Sequence, residues 1–177
     1  MNEITTTENN RILLNLRKIQ IVFALCCLIA SGLMGVFFRE FTRAFSEGLT
    51  GEELFFASYH LSIDHGHLLS IGFIIPLGLA LVTFFVRTKL DEKQTKRMTI
   101  YFHIYMITGI AVFLLLLYKG IHFMVYSGTT SLTLNEIDEL LYGGSVMIRS
   151  ILYALIHTIY GIATLLYSIP IFKSLKK

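Results

Sequence analysis

His65-Gly66-His67-Leu68-Leu69-Ser70-Ile71-Gly72-Phe73-Ile74-Ile75-Pro76 opens an apolar segment that runs to Val86. The segment is as long as a transmembrane helix, and its two imidazoles stand where the chain enters hydrocarbon. Ionisable side chains are costly at that level and usually have a task. This stretch makes the chain a membrane protein and singles out its histidines as candidates for function.

Composition agrees. Of 177 residues, 54% are apolar and 15% charged. A soluble domain this short cannot hide so much apolar surface, so the lipid bilayer is part of its solvent. The only two cysteines, Cys26 and Cys27, are adjacent inside an apolar run, which implies neither a disulfide framework nor a thiolate metal site. The formal net charge of +3 comes from lysines and arginines at the membrane face and is no nucleic-acid footprint.

Four apolar runs predict helices at about 18–38, 66–86, 98–126 and 146–172, with a polar, frayed 1–10. The first is too long for a signal-peptide core and reads as a retained helix. The connection 39–63 contains Thr50-Gly51-Glu52-Glu53, a capping box that starts a short interfacial helix. Thr133-Leu134-Asn135-Glu136 starts a second, with Ile137, Leu140 and Leu141 on one face and Gly143-Gly144 at its end. The N-terminal segment, the 87–97 turn and the C-terminus hold eleven of the 15 lysines and arginines; Arg39, Arg43, Lys119 and Arg149 are the rest. By the positive-inside rule both termini are cytoplasmic. The expected fold is all-α: one domain over 1–177, an integral membrane antiparallel four-helix bundle in the cytoplasmic membrane of a bacterium.

At 100° per residue, Arg149, Tyr153, His157, Tyr160, Thr164 and Tyr167 fall within an arc of about 80°. Lipid would reject such a stripe, so it faces the bundle interior or a partner. Helix three carries a comparable stripe of Tyr101, Tyr105, Thr108, Lys119, His122 and Tyr126, with His103 on the opposite side. Counting rise from the basic ends puts His65 and His67 near the outer boundary and His157 roughly 7 Å deeper. His103 falls near the inner boundary, and His60 is interfacial.

This outer cluster suggests haem b held between His65 or His67 and His157, with His122 in reserve. Gly66, Gly72, Gly78 and Gly161 would make room for the ring, Arg149 and Lys119 would meet its propionates, and Tyr153 stands beside them. Copper or zinc on His60, His65, His67 and His122 is the first alternative, for sensing or transport. A cofactor-free structural or assembly subunit, whose stripes bind a partner helix, is the second. Each histidine also has a purely structural role open to it, bonding a carbonyl or a tyrosine. Asp64 beside His67 is either a carboxylate that orients the imidazole or an interfacial charge. Ser31, Gly32 and Gly35 form a small-residue packing face. No nucleophile–base pair, phosphate loop or nucleic-acid module is present. The partners expected are the lipid bilayer, a quinone or redox protein, and a second copy of the chain.

Two resemblances follow from these residues. His65, His67 and Gly72 as H-x-H-x4-G, Tyr105-x3-Gly109, Lys119-Gly120-Ile121 and His157 together resemble a family of small bacterial four-helix membrane proteins of unknown function. More locally, His65-Gly66 followed by Pro76 is similar to the H-G-x9-P segment of haem–copper oxidase subunit one, whose histidine ligates the low-spin haem. Phe102-His103 with Gly109 also resembles a ligand helix of that enzyme. The copper-ligand cluster and the room for twelve helices are missing, so the second resemblance implies a single haem and no oxygen-reducing centre.

Overall fold

The computed structural model describes residues 3–176, with side chains from residue 8 onward. All elements among the described residues are helical. Helix α1 spans Glu3–Phe45. The expected fraying of 1–10 is corrected from Glu3 onward, residues 1 and 2 lying outside the described residues. No glycine or proline interrupts 3–31, Leu13 and Leu16 are buried, and the Asn9 amide donates to the Leu90 carbonyl at 3.0 Å. The early turns therefore have tertiary contacts that hold them helical.

Helix α2 (Gly51–His67), a π-helical turn (Leu68–Ile74), helix α3 (Ile75–Val86) and a 3-10 turn (Arg87–Lys89) follow one another without a break. The short separate helix expected after Thr50 is instead the beginning of this rod. Its capping box is present: Thr50 Oγ1 accepts from the Glu53 N–H at 3.3 Å, and the Glu53 carboxylate accepts from the Thr50 N–H at 2.9 Å. The helix does not stop, because 52–65 contains no breaker and Ala57 and Leu61 are fully buried along it.

The π turn leaves one carbonyl without a backbone donor. Proline has no N–H, and Pro76 stands five residues after Ile71, whose carbonyl would need that donor in an i to i−5 ladder. Tyr105 supplies the missing donor: its hydroxyl gives a 2.5 Å hydrogen bond to the Ile71 carbonyl.

Helix α4 runs Glu92–Thr129, six residues earlier than hydropathy alone indicates, because Asp91 and Gln94 form a capping box. Helix α5 (Leu134–Leu140) leads through a 3-10 turn (Leu141–Gly144) to α6 (Val146–Leu175). The positive φ of Tyr142, Gly143 and Gly144 reverses the chain there, as the glycine pair suggested. Ile137 of α5 and Leu141 of the turn are buried with Phe123, whereas Leu140 turns outward.

Helix α1 packs on the rod along its length and on α4, while α6 packs on α4 and touches α3. Leu13, Val86, Met98 and Ile171 share one core at the end that carries the 87–97 turn, called here the basic end. Met34, Leu61, Leu68 and Met124 form a second core towards the other end. Between helices, Gln20 donates to the Tyr167 hydroxyl at 2.6 Å, and that oxygen lies 2.6 Å from Thr83 Oγ1, tying α1, α6 and α3 together. Four helices, Glu8–Phe45, Gly51–Lys89, Glu92–Thr129 and Val146–Leu175, are long and apolar enough to cross a membrane.

Candidate functional site

The two helix-two histidines divide. His65 faces α1: its Nδ1 donates to the Ser31 carbonyl at 2.8 Å, and its ring lies against Gly35. The small-residue face of α1 thus serves packing, as expected, and what it packs is this imidazole. His67 instead bonds within its own helix, Nδ1 donating to the Ile63 carbonyl at 2.9 Å. On α6, His157 Nδ1 likewise donates to the Tyr153 carbonyl, at 2.8 Å, and the ring is exposed. A neutral imidazole that donates through Nδ1 keeps its lone pair on Nε2. His67 and His157 are therefore both fixed in the tautomer that a metal would need.

Gly109 of α4 is where helix two and α6 converge, for a Cβ there would lie 3.8 Å from the Tyr160 ring and 4.0 Å from Ile71 Cγ2. His67 precedes Ile71 by four residues and His157 precedes Tyr160 by three, both away from the basic end. At the α-helical rise of 1.5 Å per residue these offsets are about 6 and about 4.5 Å along their own helices. α6 packs on α4 rather than on α2, and the gap so left between α6 and helix two is the groove in which a planar group would have to lie.

The other candidate residues are occupied elsewhere. His122 Nε2 donates to the Ile137 carbonyl at 2.9 Å, and the ring stacks on Tyr126 at 4.5 Å, so it braces α5 rather than entering the groove. Arg149 donates to both the carboxylate and the carbonyl of Asp138, and Lys119 Nζ lies 3.6 Å from the same carboxylate. This cluster caps the end of the groove away from the basic end. Two cations on one carboxylate leave one positive charge uncompensated. Tyr153 hydroxyl donates to the Leu115 carbonyl at 3.1 Å. His60 rests on the Phe123 ring, with centroids 5.0 Å apart. His103 is exposed and bonds its own helix at Thr99.

The glycines also separate. Gly72 is required for close packing: a Cβ there would meet Cys27 Cβ at 2.6 Å, so it makes room for α1 and not for a ring. A Cβ added at Gly66, Gly78 or Gly161 would meet nothing within 4 Å, so these three leave open surface. A cavity of about 40 Å³ is bordered by Cys27, His67, Gly72, Gly109 and Phe113. It would hold a water molecule or two. A macrocycle would have to use the open groove. Among the described residues, no three His, Cys, Asp or Glu side chains are gathered as metal ligands; His60, His65, His67 and His122 in particular point to different partners.

Asp64 departs from both roles expected of it. It is fully buried, and neither carboxylate oxygen has a hydrogen-bond partner among the described residues. It neither orients His67, which bonds Ile63, nor sits at an interface. An isolated buried carboxylate is costly and marks this level of the chain as more than packing. The sequence signal was its position between His60 and Leu68, on the face that also carries the buried Leu61.

Residues 16–162 match the protein family described as "Protein of unknown function (DUF2871)", and the chain belongs to that family. No curated protein and no solved structure matches it, so the likeness to haem–copper oxidase rests on the short motif alone.

Proposed function

We propose that this member of the family is a haem-binding membrane protein for electron transfer or haem handling, in which His67 and His157 would hold the iron. The observation that supports the reading is the shared orientation: two imidazoles on elements that both pack on α4, each with Nδ1 committed to a carbonyl four residues back and Nε2 without a partner among the described residues. Carbonyl contacts of this kind are what orient imidazole ligands to metals. The open groove accepts a planar group from the side, and the Lys119–Asp138–Arg149 cluster offers its surplus positive charge to carboxylates at one end. Haem so held supplies one-electron exchange; the chain's own part is to fix both imidazoles, exclude water with apolar walls and set the polar end.

In this reading the four long helices form an antiparallel bundle in the cytoplasmic membrane of a bacterium, with the basic end cytoplasmic and α5 at the opposite interface. The groove then lies near the outer face, within reach of a quinone, a redox protein or a second copy. A cofactor-free assembly subunit is the competing reading, favoured by the satisfied hydrogen bonds of Arg149, Tyr153 and Tyr167. Titration of the purified chain with hemin in mild detergent separates the two. A saturable Soret band with a low-spin reduced spectrum supports haem; a featureless titration with one protein equivalent or more of free hemin sinks it.

A further inference from the structure

A second groove, at the basic end, carries a different chemistry. It has a volume of about 530 Å³ and lies between α1 and α3, walled by Leu14 and Ile21 on one side and Leu77, Leu81 and Phe84 on the other. The wall from Leu77 to Phe84 is about 10 Å long at helical rise. Two cations stand at its mouth. Arg17 lies with its guanidinium carbon 5.2 Å from the Phe84 ring centroid, and Lys18 is exposed beside it. Arg87 closes on the same ring at 4.1 Å. Among the described residues none of these three cations has a carboxylate partner, and Arg17 Nε is buried with no acceptor.

We infer that this groove is a binding site for one phospholipid with an anionic headgroup, taken from the leaflet at the basic end. An acyl chain fits the apolar walls, and the phosphate supplies the counter-charge that the Arg17 guanidinium and the Lys18 ammonium lack among the described residues. A second copy of the chain would cover the apolar walls but leave these charges uncompensated, and a zwitterionic lipid would return a positive group to a cationic mouth. Phe84 holds Arg17 in place by a cation–π contact, so the headgroup meets a positioned guanidinium and not a free side chain.

The test is native mass spectrometry of the full chain in mild detergent, with phosphatidylglycerol and phosphatidylcholine of identical acyl chains as probes. Wild type should retain one phosphatidylglycerol in preference to phosphatidylcholine. Arg17→Gln with Lys18→Gln should bind it roughly 25-fold more weakly, about fivefold for each cation removed. Lys173→Gln with Lys176→Gln, at the same end but outside the groove, should bind as wild type does. Leu81→Trp keeps the cations and fills the groove, so it too should lose retained lipid, and it decides the matter if the double variant does not fold. Equal binding of both lipids to wild type, equal losses in the two double variants, or unchanged binding in Leu81→Trp would overturn the site.

Discussion

Replacing Gly72 with alanine tests the contact that seats the π turn against α1. The added Cβ would lie 2.6 Å from Cys27 Cβ and 2.9 Å from its sulfur. Ordinary carbon–carbon contact is about 3.5–4.0 Å, so the two helices must part by about 1 Å. Overpacking of this kind costs about 1–3 kcal/mol. Alanine returns up to about 1 kcal/mol through helix propensity; because the opposing atom is a Cβ that cannot swing away, the steric cost lies in the upper part of its range, about 2–3 kcal/mol, and the net loss is about 1–2 kcal/mol. For a chain of this size that lowers Tm by roughly 2–8 °C. The assay is thermal unfolding in detergent followed by helical circular dichroism. A double-mutant cycle isolates the contact: Cys27→Gly removes the opposing Cβ, so Gly72→Ala should cost about 2–3 kcal/mol less in that background. A Gly72→Ala variant that melts at or above wild type, with no coupling to Cys27→Gly, would refute the argument.

Three further outcomes are expected. Tyr105→Phe removes the donor to Ile71 and should cost about 0.6–1.7 kcal/mol, read as faster amide exchange confined to 71–76. The Glu136 carboxyl is held below its usual 4.5 by the Thr133 backbone N–H and hydroxyl. Its capping contribution is therefore complete above that value and is lost as pH falls through the lowered pKa; the protection of amides in 134–140, relative to the base-catalysed intrinsic rate, should be constant at pH 5–7 and fall only in more acid solution. In a variant with Cys26 and Cys27 replaced by serine, single cysteines at Lys93 and at Ser131 should label from opposite sides of the membrane, the first from the cytoplasm; labelling from one side would end the topology and the leaflet assignment together.

The span count was legible because hydropathy falls in the charged 87–97 and again in 127–145, where Gly143 and Gly144 also break the helix. The helix ends were not, and each miss has a local cause. Asp91 and Gln94 extend α4 by a cap that hydropathy does not register, and Ala57 with Leu61 carries α2 into the rod although Thr50 to Glu53 looked like the start of a separate element. The π turn and the convergence of Ile71 and Tyr160 on Gly109 set the relative register of helix two and α6, and neither can be counted from one helix alone. The inward stripe of α6 was readable for Tyr153 and Tyr167, whereas the partners of Arg149, His65 and His122 come from long-range packing. Asp64 gave no sign of being unpartnered, because an aspartate near a span boundary ordinarily finds water.

The most direct test of the central claim is the low-spin ferric electron paramagnetic resonance signal of the hemin-loaded protein across single histidine variants. His67→Ala and His157→Ala should each abolish the signal of a bis-imidazole iron, since each removes one free Nε2 on the groove. His65→Ala should keep it, because that ring is bonded to Ser31 on the α1 side, and so should His103→Ala, whose ring lies towards the basic end. An unchanged signal in His157→Ala, or a lost one in His103→Ala, would contradict the account.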